Sequence, residues 1–240
     1  MKYLGQSQML PALQTFYGGG DILVTSGITL SEYLANPCGL SSVPFWKAQE
    51  VLLPENMLIV HGREFSYELL ETYEDTPYFR IMHDLVNLQP VVIPYGVKID
   101  TICKYDYAQL VDVISKSYLH IDIKVDRGQV ESWTQTPVYA PGLWLAAYEH
   151  GKMVGAIIAD LDLVAHEGII EWLQVLPEHR NAGLGTALIN FCLKRMQGNA
   201  RFATVSGQVD NQTRPEDIYR RCGFTGEDVW HILRRKEELK

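Results

Sequence analysis

Several features are missing from this 240-residue sequence, and each absence removes a class of function. No apolar stretch approaches the ~20 residues that a membrane-spanning helix needs. The N-terminal stretch MKYLGQSQMLPALQTFYGGG has one lysine, mixed polarity and no apolar core of secretory-signal type. Cysteine is scarce: Cys38, Cys103, Cys192 and Cys222 lie far apart without a CxxC pair. That pattern argues against a disulfide framework or a zinc site, and for reduced thiols. We therefore expect a cytoplasmic protein with no metal. Positive charge is also short, with 21 Lys and Arg against 29 Asp and Glu. The deficit is concentrated early, where residues 1–95 hold four basic and ten acidic side chains, against seventeen and nineteen in 96–240. A chain that grips nucleic acid or an anionic membrane needs a basic face to neutralise phosphates. None is legible, so neither is expected as a partner. The acidity reads first as a solubility device, and second as a surface that draws a cationic small molecule.

Apolar residues form 47% of the chain, enough to build a sizeable core. At ~150 residues per domain, the length suggests one or two domains. The second half alternates strand and helix patterns. VKIDTI (97–102) reads as a strand, followed by a helix from Asp106 to about Ser117 with Leu110, Val113 and Ile114 inward. A second helical piece is expected within 125–133. Strands at 143–148 and 152–162 form a hairpin turning at His150–Gly151, and a third strand covers 168–176. Then follow a helix (183–196, apolar at Leu184, Ala187, Leu188, Phe191 and Cys192), a strand (202–209), a helix (215–222) and a last strand (228–233). Successive strands with helices around them predict an α+β fold built on a mixed sheet. The first half is less periodic. NMLIVHG (56–62) reads as a strand and 64–88 as helical, interrupted at Pro77. Pro90, Pro94 and Gly96 mark the expected junction between an N-terminal domain, 1–95, and a C-terminal domain, 96–240.

The chemistry concentrates in EWLQVLPEHRNAGLGTALIN (171–190). An apolar run ends at Pro177, and Arg180, Gly183 and Gly185 follow just before a helical pattern. The first amides of a helix lack internal partners and carry partial positive charge, which suits a phosphate. Glycines let the backbone approach such a ligand closely. Amides from Asn181 to Gly185 can thus surround a diphosphate, with Arg180 adding charge-assisted contacts. No Gly-Lys-Ser/Thr follows, and the glycine order is not GxGxxG.

The stretch VLPEHRNAGLGTALI resembles the coenzyme-A signature of the GNAT superfamily of N-acetyltransferases, Q/R-x-x-G-x-G/A, with Arg180, Gly183 and Gly185 in place. Downstream, IYRRCGF (218–224) resembles the second hallmark, a tyrosine shortly before Gly-Phe. The similarity covers about residues 97–235, and the C-terminal text resembles a bacterial subgroup of unassigned substrate. It implies a central, mostly antiparallel sheet flanked by helices, here with an N-terminal extension or small domain. It also implies acetyl-CoA as co-substrate and direct transfer of the acetyl group to a primary amine. The acceptor class spans small molecules, peptides and proteins, and homodimerisation is left open.

Direct transfer sets three tasks: freeing the amine of its proton, holding the developing oxyanion and protonating the leaving thiolate. The resemblance implies a strand that splays from its neighbour, with Leu173 and Val175 offering free backbone groups to the pantetheine arm and thioester. It places the diphosphate on the loop and first turn, Asn181, Ala182, Gly183, Leu184, Gly185 and Thr186, beside Arg180. Tyr219 matches the family's general acid. Strand alternation puts Glu171, Leu173 and Val175 on one face and Trp172 and Gln174 on the other. Glu171 resembles the family's strand glutamate that acts as base, with Asp160, Asp162 and Glu131 as rivals. Asn211 follows the strand where relatives carry a CoA-contacting asparagine, one residue further from the tyrosine than usual. It reads equally as a turn former. Cys222 reads as a packed thiol. FYGGGD (16–21) and HEG (166–168) read as a loop and a turn. YFRIMHDL (78–85) reads as packing and salt bridging, and as a candidate for acceptor contact. The competing reading is a non-catalytic module that binds or senses acyl-CoA.

Overall fold

The computed structural model describes residues 21–24, 27–49, 51–118 and 124–236. A two-stranded ribbon pairs β1 (Asp21–Val24) antiparallel with β2 (Val51–Pro54). Between them lie three short helices, α1 (Leu30–Ala35), α2 (Pro37–Leu40) and α3 (Phe45–Ala48). Thr29 starts α1 through a reciprocal capping box with Glu32, which satisfies two otherwise orphan amides.

The main sheet contains eight strands. In chain order they are β3 (Met57–His61), β4 (Tyr73–His83), β5 (Val97–Thr101), β6 (Leu145–Glu149), β7 (Lys152–Asp162), β8 (Glu167–Val175), β9 (Phe202–Gln208) and β10 (Thr225–Arg235). Their spatial order is β3-β10-β4-β9-β8-β7-β6-β5, and β8–β9 is the parallel pair among antiparallel neighbours. Helices α4 (Tyr107–Ser117) and α5 (Arg127–Trp133) connect β5 to β6. Helix α6 (Leu184–Met196) is the crossover from β8 to β9, as parallel neighbours require. Helix α7 (Pro215–Arg221) leads to β10. The mixed sheet and every element expected after residue 96 are present, with ends shifted by a residue or so at most places. His150 and Gly151 both take positive φ at the β6–β7 hairpin, the geometry of a tight two-residue turn.

Two readings of the first half need correction. Residues 64–88 are not helical: a short 3-10 turn (Tyr67–Glu71) leads into the eleven-residue strand β4. Tyr78, Phe79, Arg80 and Ile81 are buried in succession, because β4 lies between β10 and β9 with both faces covered. Such a strand shows no alternation, and its apolar run resembles a buried helix. Pro77 fits because its carbonyl accepts from Val209 N just past the final β4–β9 pair, Tyr78↔Gln208. Having no N–H, it cannot return that bond to Val209, and the β4–β9 ladder ends there, at the strand position a proline tolerates. The expected junction at 95/96 also does not separate two sheets. β3 and β4, from the first ninety-five residues, are woven among β9 and β10 from the last forty.

A buried ionic cluster ties the N-terminal helices to this sheet. Arg80 on β4 donates through Nη2 to Tyr33 Oη (2.9 Å) and Glu167 Oε1 (3.2 Å), and through Nη1 to Ser206 Oγ (3.2 Å). Tyr33 Oη and Thr204 Oγ1 donate to Glu167, and Phe45 N reaches its Oε2 at 3.4 Å. Glu167 is fully buried, so its charge depends on these partners. Among the described residues no helix is long and apolar enough to cross a membrane, and no group of three His, Cys, Asp or Glu could hold a metal ion. Replacing Glu167 with Ala strands the Arg80 guanidinium. It should destabilise the fold by about 3–5 kcal/mol, read as a lowered urea midpoint.

Candidate active site

The site begins where two strands part. β8 and β9 pair from Glu167↔Phe202 to Ile170↔Val205 and no further. Beyond Val205, β9 continues against β4, with Ser206, Gly207 and Gln208 opposite Arg80, Phe79 and Tyr78. β8 continues against β7 to Val175. A wedge opens between them, and β8 presents an unpaired edge to it.

Which backbone groups face the wedge follows from the ladder. Leu176 N donates to Val154 O at 3.0 Å, so by alternation residues 172, 174 and 176 bond β7. The N–H and C=O of Leu173 and Val175 therefore turn toward the wedge. Two contacts agree: Tyr118 Oη approaches Leu173 O at 3.5 Å, and Arg180 Nε donates to Val175 O at 3.0 Å.

The ladder also corrects the reading of β8's faces. Register passes from Ile158↔Trp172 to Ala159↔Ile170, so Glu171 is the extra residue of a β-bulge. On one side, a Cβ at Gly168 would strike Met196 of α6, and Leu173 and Val175 side chains lie about 4 Å from where Gly185 of α6 would carry its Cβ. Glu171 points the other way, to Lys47 of α3. The bulge thus places Glu171 on the face of Trp172 and Gln174, opposite Leu173 and Val175.

After β8, Pro177–His179 form a 3-10 turn, and the chain enters α6 through two left-handed residues, Asn181 (φ 62°) and Gly183 (φ 81°). Gly183 caps α6 without a side-chain bond. The first internal bond runs from Ala187 N to Gly183 O, so the amides of residues 184–186 have no acceptor within the helix. No atom lies within 4 Å of a Cβ built at Gly183, whereas one at Gly185 would meet Ile218 Cδ1 at 2.7 Å. Gly183 thus supplies the turn and open space for a ligand, and Gly185 lets α6 approach α7. The Arg180 guanidinium also bonds Ser117 O at 2.8 Å, joining the loop to β8 and the end of α4.

The wedge and loop form one cleft of about 910 Å³, large enough for a nucleotide-sized ligand. It brings together Leu173, Val175, Arg180, Asn181, Gly183, Leu184, Gly185, Thr186, Asn211 and Tyr219. Ala182 and Glu171 are not in its lining. Tyr219 has no exposed surface, and its ring is held between Phe79 and Phe224 at centroid distances of 6.5 and 5.6 Å. Asn211 behaves as a turn former, its Oδ1 accepting from Thr213 N (2.9 Å) and Oγ1 (2.7 Å) at the cleft margin. The Thr186 hydroxyl bonds Cys222, and burial pushes that thiol up to about 11, which leaves it protonated and packed at neutral pH.

Glu171 sits in a buried ion pair, its Oε1 2.7 Å from Lys47 Nζ, with side chains 3% and 7% exposed. Its Oε2 has no hydrogen-bond partner among the described residues. Asp160 lies close by: burial first, and the Glu171 carboxylate second, hold it well above the usual carboxylate range, while Lys47 acts against them. The other rivals are engaged elsewhere. Asp162 Oδ1 accepts from Val164 N and Ala165 N in the 162–166 turn, and Glu131 pairs with Arg127 on half-exposed α5. FYGGGD lies outside the described residues apart from Asp21. Within YFRIMHDL, Arg80 has the packing and ion-pairing role expected of it.

Four side chains at or near the site carried no strong signal in the sequence. Tyr118 lines the cleft at the end of α4, and burial raises its phenol above the ordinary value, so it stays protonated. Arg214 joins Arg180 and Arg221 among the cleft's cations. Lys47 is a lone lysine in an aromatic stretch, and Gln174 is a lone amide in an apolar strand. Because folded Asp160 keeps its proton to higher pH than the unfolded chain, stability should fall as pH rises above ~4. Asp160→Asn should flatten that decline, measured by urea midpoints between about pH 5 and 8; unchanged slopes would mean an ionised Asp160.

Residues 140–226 match the acetyltransferase (GNAT) domain family. No curated protein matches the sequence. Among solved structures, a GCN5-related N-acetyltransferase from Sphaerobacter thermophilus is 21% identical with a TM-score of 0.61, over 77% of this chain and 63% of its own. The alignment thus spans less than two thirds of that protein. A GCN5-related N-acetyltransferase from Kribbella flavida is 15% identical with a TM-score of 0.54, over 76% and 68%. A conserved protein of unknown function from Staphylococcus epidermidis is 16% identical with a TM-score of 0.55, over 87% and 82%. At these identities the structural likeness is one of fold.

Proposed function

We propose, from the match of residues 140–226 to the acetyltransferase (GNAT) domain family, that the chain passes the acetyl group of acetyl-CoA directly to a primary amine. The observation that carries this reading is the meeting, in one cleft, of the open edge of β8 and the uncapped start of α6. A thioester on a diphosphate-bearing arm needs both. The amides of Asn181 and Gly183–Thr186 would hold the diphosphate, with Arg180 and Arg214 supplying positive charge. The backbone of Val175 would pair with the pantetheine arm. The Leu173 N–H would stabilise charge developing on the thioester oxygen, at no reorganisation cost because the strand is already fixed. Tyr219 would give its proton to the departing thiolate, since a phenol of pKa ~10 is protonated at neutral pH. Glu171 is our candidate base for the acceptor ammonium, through its unpartnered Oε2. No step calls for a metal. We infer a cytoplasmic location from the reduced-cysteine pattern, and leave the acceptor as small molecule, peptide or protein at this stage.

One feature favours a second reading. Lys47 already neutralises Glu171, as a bound amine would, which suits a module that binds acyl-CoA without transferring it. Calorimetry with acetyl-CoA, followed by thiol release over a panel of amines, separates the two. Binding with no thiol release from any amine would leave only the second.

Gly183→Val forces a β-branched residue into a left-handed conformation and fills open space at the loop. It should weaken acetyl-CoA binding by roughly tenfold or more in calorimetry, about 1.4 kcal/mol. Tyr219→Phe should lower kcat by roughly a hundredfold with little change in acetyl-CoA affinity. Unchanged turnover would remove Tyr219 from the acid role.

A further inference from the structure

Gln174 is the most anomalous side chain at the cleft. It is 1% exposed, and neither its Oε1 nor its Nε2 has a hydrogen-bond partner among the described residues. Its backbone is in the β7 ladder opposite Ala156, so the strand itself is satisfied and the carboxamide alone is unserved. A buried donor and a buried acceptor left unmet both oppose folding, and such groups are retained where a ligand completes them. Gln174 lies in the cleft lining.

The chemistry of a carboxamide narrows the ligand. An ammonium brings donors only, and a phosphate or carboxylate brings acceptors only; each would leave half of Gln174 unmet. An amide brings a carbonyl and an N–H side by side, and satisfies both halves. The two amides of the pantetheine arm are not the natural partners. That arm has the in-plane edge groups of Leu173 and Val175, whereas Gln174 projects from the face of β8 away from α6. On that face its strand neighbours are Glu171, with its unpartnered Oε2, and Trp172. Trp172 stacks on Trp133 of α5 at 5.6 Å and meets the Tyr118 ring edge-on at 6.0 Å. This apolar wall excludes water and strengthens a hydrogen bond made beside it.

We propose that Gln174 is a specificity-determining residue that hydrogen-bonds an amide carried next to the reacting amine, so that the acceptor is an amino-acid amide or the N-terminus of a peptide rather than a plain alkylamine or polyamine. The proposal rests on the acetyl-transfer reading. The acceptor's ammonium faces carboxylate oxygen, and its amide faces Gln174. Transfer then forms the new amide at the amine nitrogen, breaks the thioester C–S bond and releases coenzyme A as the thiol.

The test uses the full chain with acetyl-CoA and four acceptors: glycinamide, a tripeptide with a free N-terminus, butylamine and putrescine. The wild type should favour the first two by at least tenfold in kcat/KM. Gln174→Met, unbranched and close in volume, should abolish that preference mainly through KM. It should leave the acetyl-CoA dissociation constant within twofold and the Tm unchanged or higher, since an unserved amide has been replaced by an apolar chain. Gln174→Leu serves the same purpose should the methionine variant fold poorly. A wild type that accepts putrescine or butylamine equally well, a variant that keeps the preference, or a variant that loses acetyl-CoA affinity each overturns the proposal. The last would assign Gln174 to the pantetheine arm. Acetyl-CoA binding with no thiol release from any of the four overturns the transfer reading itself, a separate outcome.

Discussion

The site depends on one broken ladder. Parallel pairing of β8 with β9 stops after Ile170↔Val205, and everything functional follows from where those hydrogen bonds go instead. β9 keeps its order because β4 takes over as its partner through Arg80, Phe79 and Tyr78. β8 keeps its order because β7 pairs it as far as Val175. Two strands can therefore diverge without either fraying, and the unpaired edge is rigid rather than loose. Rigidity matters chemically: donors already aimed at a developing charge need no reorganisation when the reaction occurs. The first ninety-five residues thus contribute to the cleft even though none of those described lines it. Without β4, the departure of β9 from β8 would leave β9 with an open side.

The N-terminal helices are bound to the same strands by charge. Glu167 opens β8, and it gathers Arg80 from β4, Thr204 from β9, Tyr33 from α1 and the amide of Phe45 from α3. Two residues after Phe45, Lys47 reaches Glu171. One strand therefore carries two buried carboxylates, each paired with a cation from the first ninety-five residues. A buried ion pair is costly evidence for stability, because desolvation offsets much of the attraction. It is better evidence for register: it fixes where α3 sits over β8. That placement puts an ammonium beside the candidate base and ties the N-terminal segment to the strand that edges the candidate site.

Legibility in the sequence followed the physical range of the signals. The Arg180–Gly185 loop was readable because its requirements are local: a strand end, a left-handed glycine and a helix start within ten residues. The hairpin at His150–Gly151 and the stripes of α4 and α6 were readable for the same reason. β4 was not, because a strand buried on both faces loses its alternation, and Tyr78–Ile81 then resembles a helix interior. The place of Glu171 was misread for a different reason. Strict period-two counting assumes an unbroken ladder, and the bulge is set by the mismatch between β7 and β8, which no local pattern records. Lys47 and Tyr118 are far from β8 in sequence, so their relation to it belongs to tertiary structure alone.

That single inserted residue also explains how the two substrates could be kept apart. Before the bulge, Gly168 faces α6; after it, Leu173 and Val175 do, while Glu171, Trp172 and Gln174 face away. Had alternation continued unbroken from Gly168, Leu173 and Val175 would have faced away from α6 together with Glu171, and the carboxylate would have shared their side. The bulge brings the residues after it back onto the α6 side and leaves the charge on the other. One face of β8 is left apolar and close to the helix start, suited to a long anionic cofactor arm. The other holds a carboxylate, an indole and a carboxamide, suited to a polar cation. The wedge between β8 and β9 is where the two faces communicate, so the reacting atoms need meet only there.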